Sequence, residues 1–375
     1  MKLHKLFWAG AALAALNLYG AVGNKAEAQS FVATPVAKFS EPWAMTFLPD
    51  GRLLVTEKRG TLKVYTINGS MVNITGLPAI SYGGQGGLGD IALHPGFAAN
   101  GMVYFSYAEA GTNGTRGAVV ARARLTLNAQ GGGALSNVQV IWRQTPKVAG
   151  DNHFGYRILF GSDGRMWVTS SERFQFTPAQ DLSNNLGKIL RLNDDGTPVA
   201  DNPFASQGGV AAQIWSYGHR NIYGLAFDSQ GRLWSHEMGP RGGDELNLVE
   251  RGSNYGWPIV SNGDNYDGTP IPDHNTRPEF NAPELSWNPV ISPASLIFYD
   301  ASLFPQWRGN AFIAALSARG LVRVTINGNT AREAERLNLN QRIREVEQGP
   351  DGAIWVLEDE QSGSGGRLLR ITPAT

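Results

Sequence analysis

The stretch 216–258 places side chains able to hold an anion beside groups able to hold a hard cation. Arg220, inside the tripeptide His219-Arg220-Asn221, carries a permanent planar charge suited to a carboxylate or to negative charge on a carbonyl oxygen, and Asn221 adds a neutral donor. Downstream, Glu237-Met238-Gly239-Pro240 can turn main-chain carbonyls toward a cation, with Asp244, Glu245 and the carbonyl of Tyr255 as further oxygen ligands. An all-oxygen donor set in a chain without cysteine favours calcium over zinc. The bland alternative is that Asp244 and Glu245 form a charged turn.

Three more constellations carry chemistry. His153, in the loop Gly150-Asp151-Asn152-His153-Phe154-Gly155 ahead of the strand-like YRILF, has the near-neutral pKa needed to take a proton from an alcohol, although a lone histidine also serves as a structural hydrogen-bonder. The run Gly83-Gly84-Gln85-Gly86-Gly87-Leu88-Gly89-Asp90 can bring backbone close to a flat ligand, with the two-sided amide of Gln85 beside it, or can be a plain connecting loop. No helix or βαβ unit follows that run, which argues against a dinucleotide site. Arg342 and Arg344 alternate along a strand, so both guanidinium groups face one side and can clamp a polyanion or stand in solvent.

These residues are far apart in sequence, so the elements between them must converge. A turn followed by an alternating apolar strand recurs six times: Pro49-Asp50-Gly51 before RLLVTEK, Pro95-Gly96-Phe97 before MVYFSY, Ser162-Asp163-Gly164 before RMWVTSSE, Ser229-Gln230-Gly231 before RLWSHEMG, Arg308-Gly309-Asn310 before AFIAAL, and Pro350-Asp351-Gly352 before AIWVLEDE. Asp-Gly and its relatives favour hairpin turns because glycine reaches positive φ without a Cβ clash. The recurrence predicts an all-β chain built as a six-bladed β-propeller, with a pair of β-sandwiches as the alternative. Helix-favouring composition is confined to 331–337, and the Pro-, Asn- and Asp-rich stretch 260–293 reads as one long functional loop.

Composition bounds the rest. The chain has 375 residues, 42% of them hydrophobic, enough for a sizeable core, and its 46 glycines and 20 prolines lack a strict period. Its 32 basic and 32 acidic side chains cancel, so no long-range field favours nucleic acid or an anionic membrane. Residues 1–28 read as a secretory signal peptide cut before Gln29: Lys2 and Lys5 precede an apolar run, and Ala26-Glu27-Ala28 supplies the small residues of a cleavage site. The run is shorter than the roughly 20 residues of a membrane span, and no later segment reaches that length. A single domain, 29–375, working in the periplasm or outside the cell without disulfides, is the expectation.

GHRN, GPRGGDELN, NYGWP, the DNHFG loop, GGQGGLGDIALHP and RIREV together resemble the soluble aldose sugar dehydrogenases that depend on pyrroloquinoline quinone (PQQ), the glucose/sorbosone dehydrogenase family; the resemblance runs from about Trp43 to Ile371. It implies a six-bladed β-propeller with the active site on its top face, and oxidation of aldose sugars at the anomeric carbon to lactones. His153 would be the base that takes the anomeric proton while hydride passes to C5 of the quinone, and Arg220 would stabilise charge on the quinone oxygen. Gln85, Asn221, Tyr266, Ala315, Leu316, Ser317, Arg342 and Arg344 fall on cofactor-contacting positions, the two arginines matching carboxylates of the quinone. Gly239 and Pro240 fall where main-chain carbonyls hold a calcium ion, and Glu245 and Tyr255 on a second, structural calcium site. Electrons would leave to an acceptor the residues do not identify. One departure stands out: Ser317 occupies a position where the family usually has lysine, and Arg319 is the next cation along the chain that could reach the same oxygen. Two other classes share the scaffold, a calcium-dependent propeller lactonase or other hydrolase that needs no quinone, and a non-catalytic propeller binding module.

Overall fold

The structure is a computed structural model and describes residues 30–128 and 131–374. The expected signal peptide, 1–28, lies outside the described residues. Six four-stranded antiparallel blades stand around one axis. Their innermost strands, in chain order, are Pro42–Phe47, Leu88–Leu93, Gly155–Phe160, Asn221–Phe227, Pro293–Phe298 and Ile343–Gln348; each packs on the next, and the last packs on the first. Blades one and two are also joined edge to edge by a short parallel pairing, Ile74 with Gly133 and Thr75 with Ala134.

Each of the six turns leads from the innermost strand of a blade into its second strand: Leu53–Glu57, Met102–Ala110, Met166–Ser170, Leu233–Met238, Ala311–Ala315 and Ile354–Glu358. The turn at Pro95-Gly96-Phe97 differs by carrying a single helical turn, Phe97–Asn100. Second strands such as Met166–Ser170 and Ile354–Glu358 are buried along their whole length, because a blade is covered on both faces by its neighbours. Apolar residues fill the seams: Trp167, Ile189, Ile222 and Leu225 between blades three and four, and Met45, Val55, Trp355 and Leu368 between six and one.

The helix-favouring segment 331–337 lies in a strand, Thr330–Asn338, on the outer edge of blade five. Ala331 and Leu337 point inward, Arg323 meets Glu335 at 2.7 Å across the pair, and the ladder outweighs local propensity. The stretch 260–293 is largely loop, but Leu285–Trp287 within it forms the outermost strand of blade four.

Two features hold the ring. The first strand, Phe31–Lys38, pairs antiparallel with the last, Arg367–Pro373, and completes blade six. Inside the channel, Arg157 of blade three donates to Asp90 of blade two at 3.3 Å, the Tyr223 carbonyl of blade four at 2.9 Å, the Ala294 carbonyl of blade five at 2.9 Å and Glu345 of blade six at 2.9 Å. Its guanidinium lies 4.8 Å from the ring of Trp43 in blade one.

Candidate active site

Every innermost strand begins, and every second strand ends, at the same end of the ring, here the upper face. Most of the sequence-derived site residues sit at these junctions; Glu245 lies in the third strand of blade four, and Tyr255 and Tyr266 in the loop that follows it. Gln85, His153, Arg220 and Arg342 precede or enter innermost strands, whereas Gly239, Pro240, Leu316 and Ser317 follow second strands. A cavity of about 420 Å³ opens there, lined among others by Trp43, Lys58, Gln85, Tyr223, Arg342 and Arg344, a volume within the usual range for a small-molecule site.

The glycine-rich loop is shaped by close packing. A side chain at Gly87 would overlap the carbonyl oxygen of Lys58, and one at Gly84, where φ is +53°, would come within 2.8 Å of the Asp151 carbonyl oxygen. The loop is thereby pressed against the 150–155 loop. Gln85 N–H donates to the Asp151 carbonyl at 2.8 Å, and its Oε1 accepts from the His153 N–H at 2.8 Å and the Tyr223 hydroxyl at 3.0 Å.

His153 is buried, with its backbone at φ +52°. Its Nδ1 is hydrogen-bonded to Glu172, a residue with no exposed surface, and Nε2 makes no hydrogen bond to any described residue. Glu172 also accepts from the backbone N–H groups of Phe174 at 3.0 Å and Phe176 at 2.6 Å. Burial lowers the His153 pKa, with Arg220 acting in the same direction and Glu172 opposing. The imidazole is therefore neutral at ordinary pH, oriented by a carboxylate and free to accept a proton at Nε2. The adjacent Arg173 donates to the carbonyls of Asn152, Arg116 and Gly150 and so fixes the histidine loop from the other side.

Arg220 is buried and binds the carbonyls of Met238 at 2.9 Å and Gly239 at 2.7 Å, and the Tyr266 hydroxyl at 3.2 Å. Its Nε, the Oδ1 of Asn221 and the Nε of Arg344 are buried polar atoms without a protein partner. Such orphans are costly unless something else meets them; the two N–H donors suit oxygen acceptors, and the amide oxygen suits an N–H or O–H of the same ligand. Tyr266 is exposed; with Phe174, Phe176 and Pro240 it lines a second opening beside Arg220.

The Gly239 N–H donates to Asp244 at 2.8 Å, and the same carboxylate accepts from Ile291 and Ser292. Asp244 thus shapes the loop that presents the Gly239 and Pro240 carbonyls. Burial raises its pKa to about 6 against those three hydrogen bonds. Glu245 faces inward, 3.2 Å from His274 Nε2 and 3.2 Å from Asn247 Nδ2. Together with Glu237 and Tyr255 it lines a small cavity of about 10 Å³, roughly the space of one water or ion. Burial raises the Glu245 pKa, and the Glu237 charge adds to the rise. Two buried carboxylates facing one small space are the setting in which a divalent cation is favourable.

Arg342 and Arg344 both pair with Asp359, at 3.0 and 3.2 Å, and both line the upper cavity. Of the Ala315-Leu316-Ser317 segment only Leu316 lines it; Ala315 packs between blades, and Ser317 is exposed with its hydroxyl on the Val290 carbonyl. Arg319 does not take over the missing cation's place, because its guanidinium donates to the Asn340 carbonyl at 2.8 and 3.1 Å.

The glucose/sorbosone dehydrogenase family model matches residues 39–370. The chain belongs to the glucose/sorbosone dehydrogenase family. It is 38% identical over 345 residues to the aldose sugar dehydrogenase YliI of Escherichia coli K12, covering 90% of this chain and 91% of that one. The crystal structure of the soluble aldose sugar dehydrogenase of Escherichia coli in its apo-form superposes with a TM-score of 0.85 at 36% identity, over 92% of this chain and 100% of that one. A PQQ-bound aldose sugar dehydrogenase from Streptomyces coelicolor gives 0.75 at 26% identity, over 92% and 99%. Sequence reasoning placed Glu172 in a segment bordering the substrate and Glu237 in the carbonyl-presenting stretch without giving either side chain its role, and it missed Asp359 and Lys58. All four sit at or just beyond the upper end of a second strand, the same place in the repeat that holds Gly239 and Leu316.

Proposed function

We propose that this chain is a PQQ-dependent aldose sugar dehydrogenase that oxidises the anomeric hydroxyl of an aldose to the lactone. The observation that supports it most is the joint presence, at one face, of the His153–Glu172 pair, the orphaned Arg220 Nε and a cavity presenting Arg342 and Arg344. When bound, the quinone supplies an electrophilic carbon, C5, able to accept the substrate's hydride. His153 Nε2 takes the anomeric hydroxyl proton, while Glu172 fixes Nδ1–H and stabilises the imidazolium that forms. Arg220 offers its buried Nε–H to oxygen where negative charge grows, and the free Asn221 Oδ1 would accept from an N–H or O–H of the ligand. Arg342 and Arg344 would hold carboxylates; Gln85 lines the same cavity and Tyr266 the opening beside Arg220. Carbonyls of Gly239 and Pro240 are the candidates for one calcium ion, and Glu245 with the Tyr255 carbonyl for another, joined by Glu237.

Protein freed of ligands should bind PQQ in the presence of calcium, shown by a spectral shift, and then reduce an artificial dye with at least one of a panel of aldoses. Absence of both binding and turnover sinks the proposal. Hydrolysis of a lactone by calcium-loaded, quinone-free protein would favour the propeller hydrolase, and quinone binding without turnover on any sugar would favour the binding module. Residues 1–28 fit a cleaved leader, with 29–375 acting as one domain in the periplasm or outside the cell; the N-terminal sequence of the mature protein tests this. Among the described residues no helix is long and apolar enough to cross a membrane.

A further inference from the structure

Arg342 and Arg344 share the single carboxylate of Asp359, whereas the third cation of the upper cavity, Lys58, has no carboxylate at all. Among the described residues its ammonium makes neither a hydrogen bond nor an ion pair, and it lies over the Tyr82 ring, 5.5 Å from the centroid. The neighbouring Glu41 is taken up by Arg59 and by the Tyr82 hydroxyl. The backbone of Lys58 is held on both sides: its N–H donates to the Glu41 carbonyl at 2.9 Å, its carbonyl accepts from Leu88 N–H at 2.8 Å, and Gly87 lies flush against it. A half-buried lysine is thus fixed at the cavity wall with its charge unmet. Burial and then Arg344 lower its pKa, and the charges of Glu41 and Asp359, neither of them paired with it, oppose the fall only in part.

The segment where the family resemblance calls for a lysine supplies none, since Ser317 is exposed and Arg319 is engaged elsewhere. We propose that Lys58 is the third cofactor-binding cation of this chain, meeting a carboxylate of the tricarboxylic quinone from blade one in place of a lysine from blade five. The proposal rests on reading the upper cavity as a PQQ site. Counting Asp359 as the only acid among the three cations, loss of Lys58 halves the net positive charge that greets the ligand.

Binding of PQQ to calcium-loaded, quinone-free protein, followed by quenching of tryptophan fluorescence at low and high salt, tests it. Lys58→Met should raise the Kd roughly tenfold, the scale of one charge-assisted contact, and flatten the salt dependence. Lys58→Arg should stay near the wild-type Kd, and adding Ser317→Lys to Lys58→Met should recover much of the loss. Unchanged thermal melting of the ligand-free variants separates lost binding from lost folding. Wild-type binding with an unaltered Kd in Lys58→Met overturns this inference alone, and failure of the wild-type protein to bind PQQ overturns the quinone reading and this inference with it.

Discussion

Replacing Glu172 by glutamine tests the catalytic reading with almost no change in volume. The carboxylate accepts from His153 Nδ1, from Phe174 N–H at 3.0 Å and from Phe176 N–H at 2.6 Å. A glutamine has one acceptor oxygen and one NH₂, so whichever oxygen is replaced leaves a buried donor facing a donor, at a stability cost of about 1–3 kcal/mol. The imidazolium loses its ionised acceptor and keeps only a charged donor on a neutral amide, a loss of about 1–1.5 kcal/mol on the spread between charged and neutral hydrogen bonds. That difference corresponds to a roughly tenfold loss in kcat, and misorientation can add to it up to the roughly 10²–10⁴ that a general base contributes. The pH profile gives an independent sign. Glu172 raises the His153 pKa against burial, so removing its charge lets that pKa fall further. The active form is the neutral imidazole, hence the acid limb of kcat/KM should move to lower pH. The assay is dye reduction by protein reconstituted with PQQ and calcium, with the PQQ Kd as control. A kcat within about twofold of wild type together with an unmoved acid limb would refute the assigned pairing.

His153→Ala should retain PQQ binding and lose turnover, as read by titration and steady-state rates; retained turnover removes His153 as the base. Arg157→Met leaves Asp90 and Glu345 without their buried cation and should cost about 3–5 kcal/mol in denaturant unfolding. Burial already pushes the Glu345 pKa up to about 7 against the pull of Arg157. A carboxyl whose folded pKa lies above its unfolded value loses stability as pH rises from its ordinary 4.5 through the folded value, so the Arg157→Met defect should be larger at pH 7 than near pH 5. Glu237→Gln should shrink the rise in melting temperature that calcium gives the wild-type protein; an undiminished rise would exclude Glu237 from the ion's surroundings.

The ring was legible because its signal is local. Six Asp-Gly-like turns each mark one hairpin, and each lies between the innermost and second strands of its blade. The segment 331–337 misleads because its propensity is set by side chains that point outward, while the pairing with Gly320–Asn327 decides its state. The outer strand Leu285–Trp287 was hidden inside a loop-like composition, being only three residues long with one side chain buried. At the site, Arg220, His153 and the arginine pair stand out through the motifs around them. Their partners do not, because Glu172, Asp359 and Lys58 acquire meaning only when the blades converge, and each sits in a loop of unremarkable composition. What could have exposed them is position in the repeat rather than residue type.

Arg157 touches the innermost strand of every blade, through four blades' oxygens, its own strand and the Trp43 ring. One side chain therefore registers how many blades the ring contains. A chain with five or seven blades would leave that guanidinium, or one of its acids, without a counterpart at the centre of the ring. Drift in repeat number by duplication or loss of a blade is thereby penalised at a point that no single blade controls, and loops on the upper face can diversify while the count stays at six.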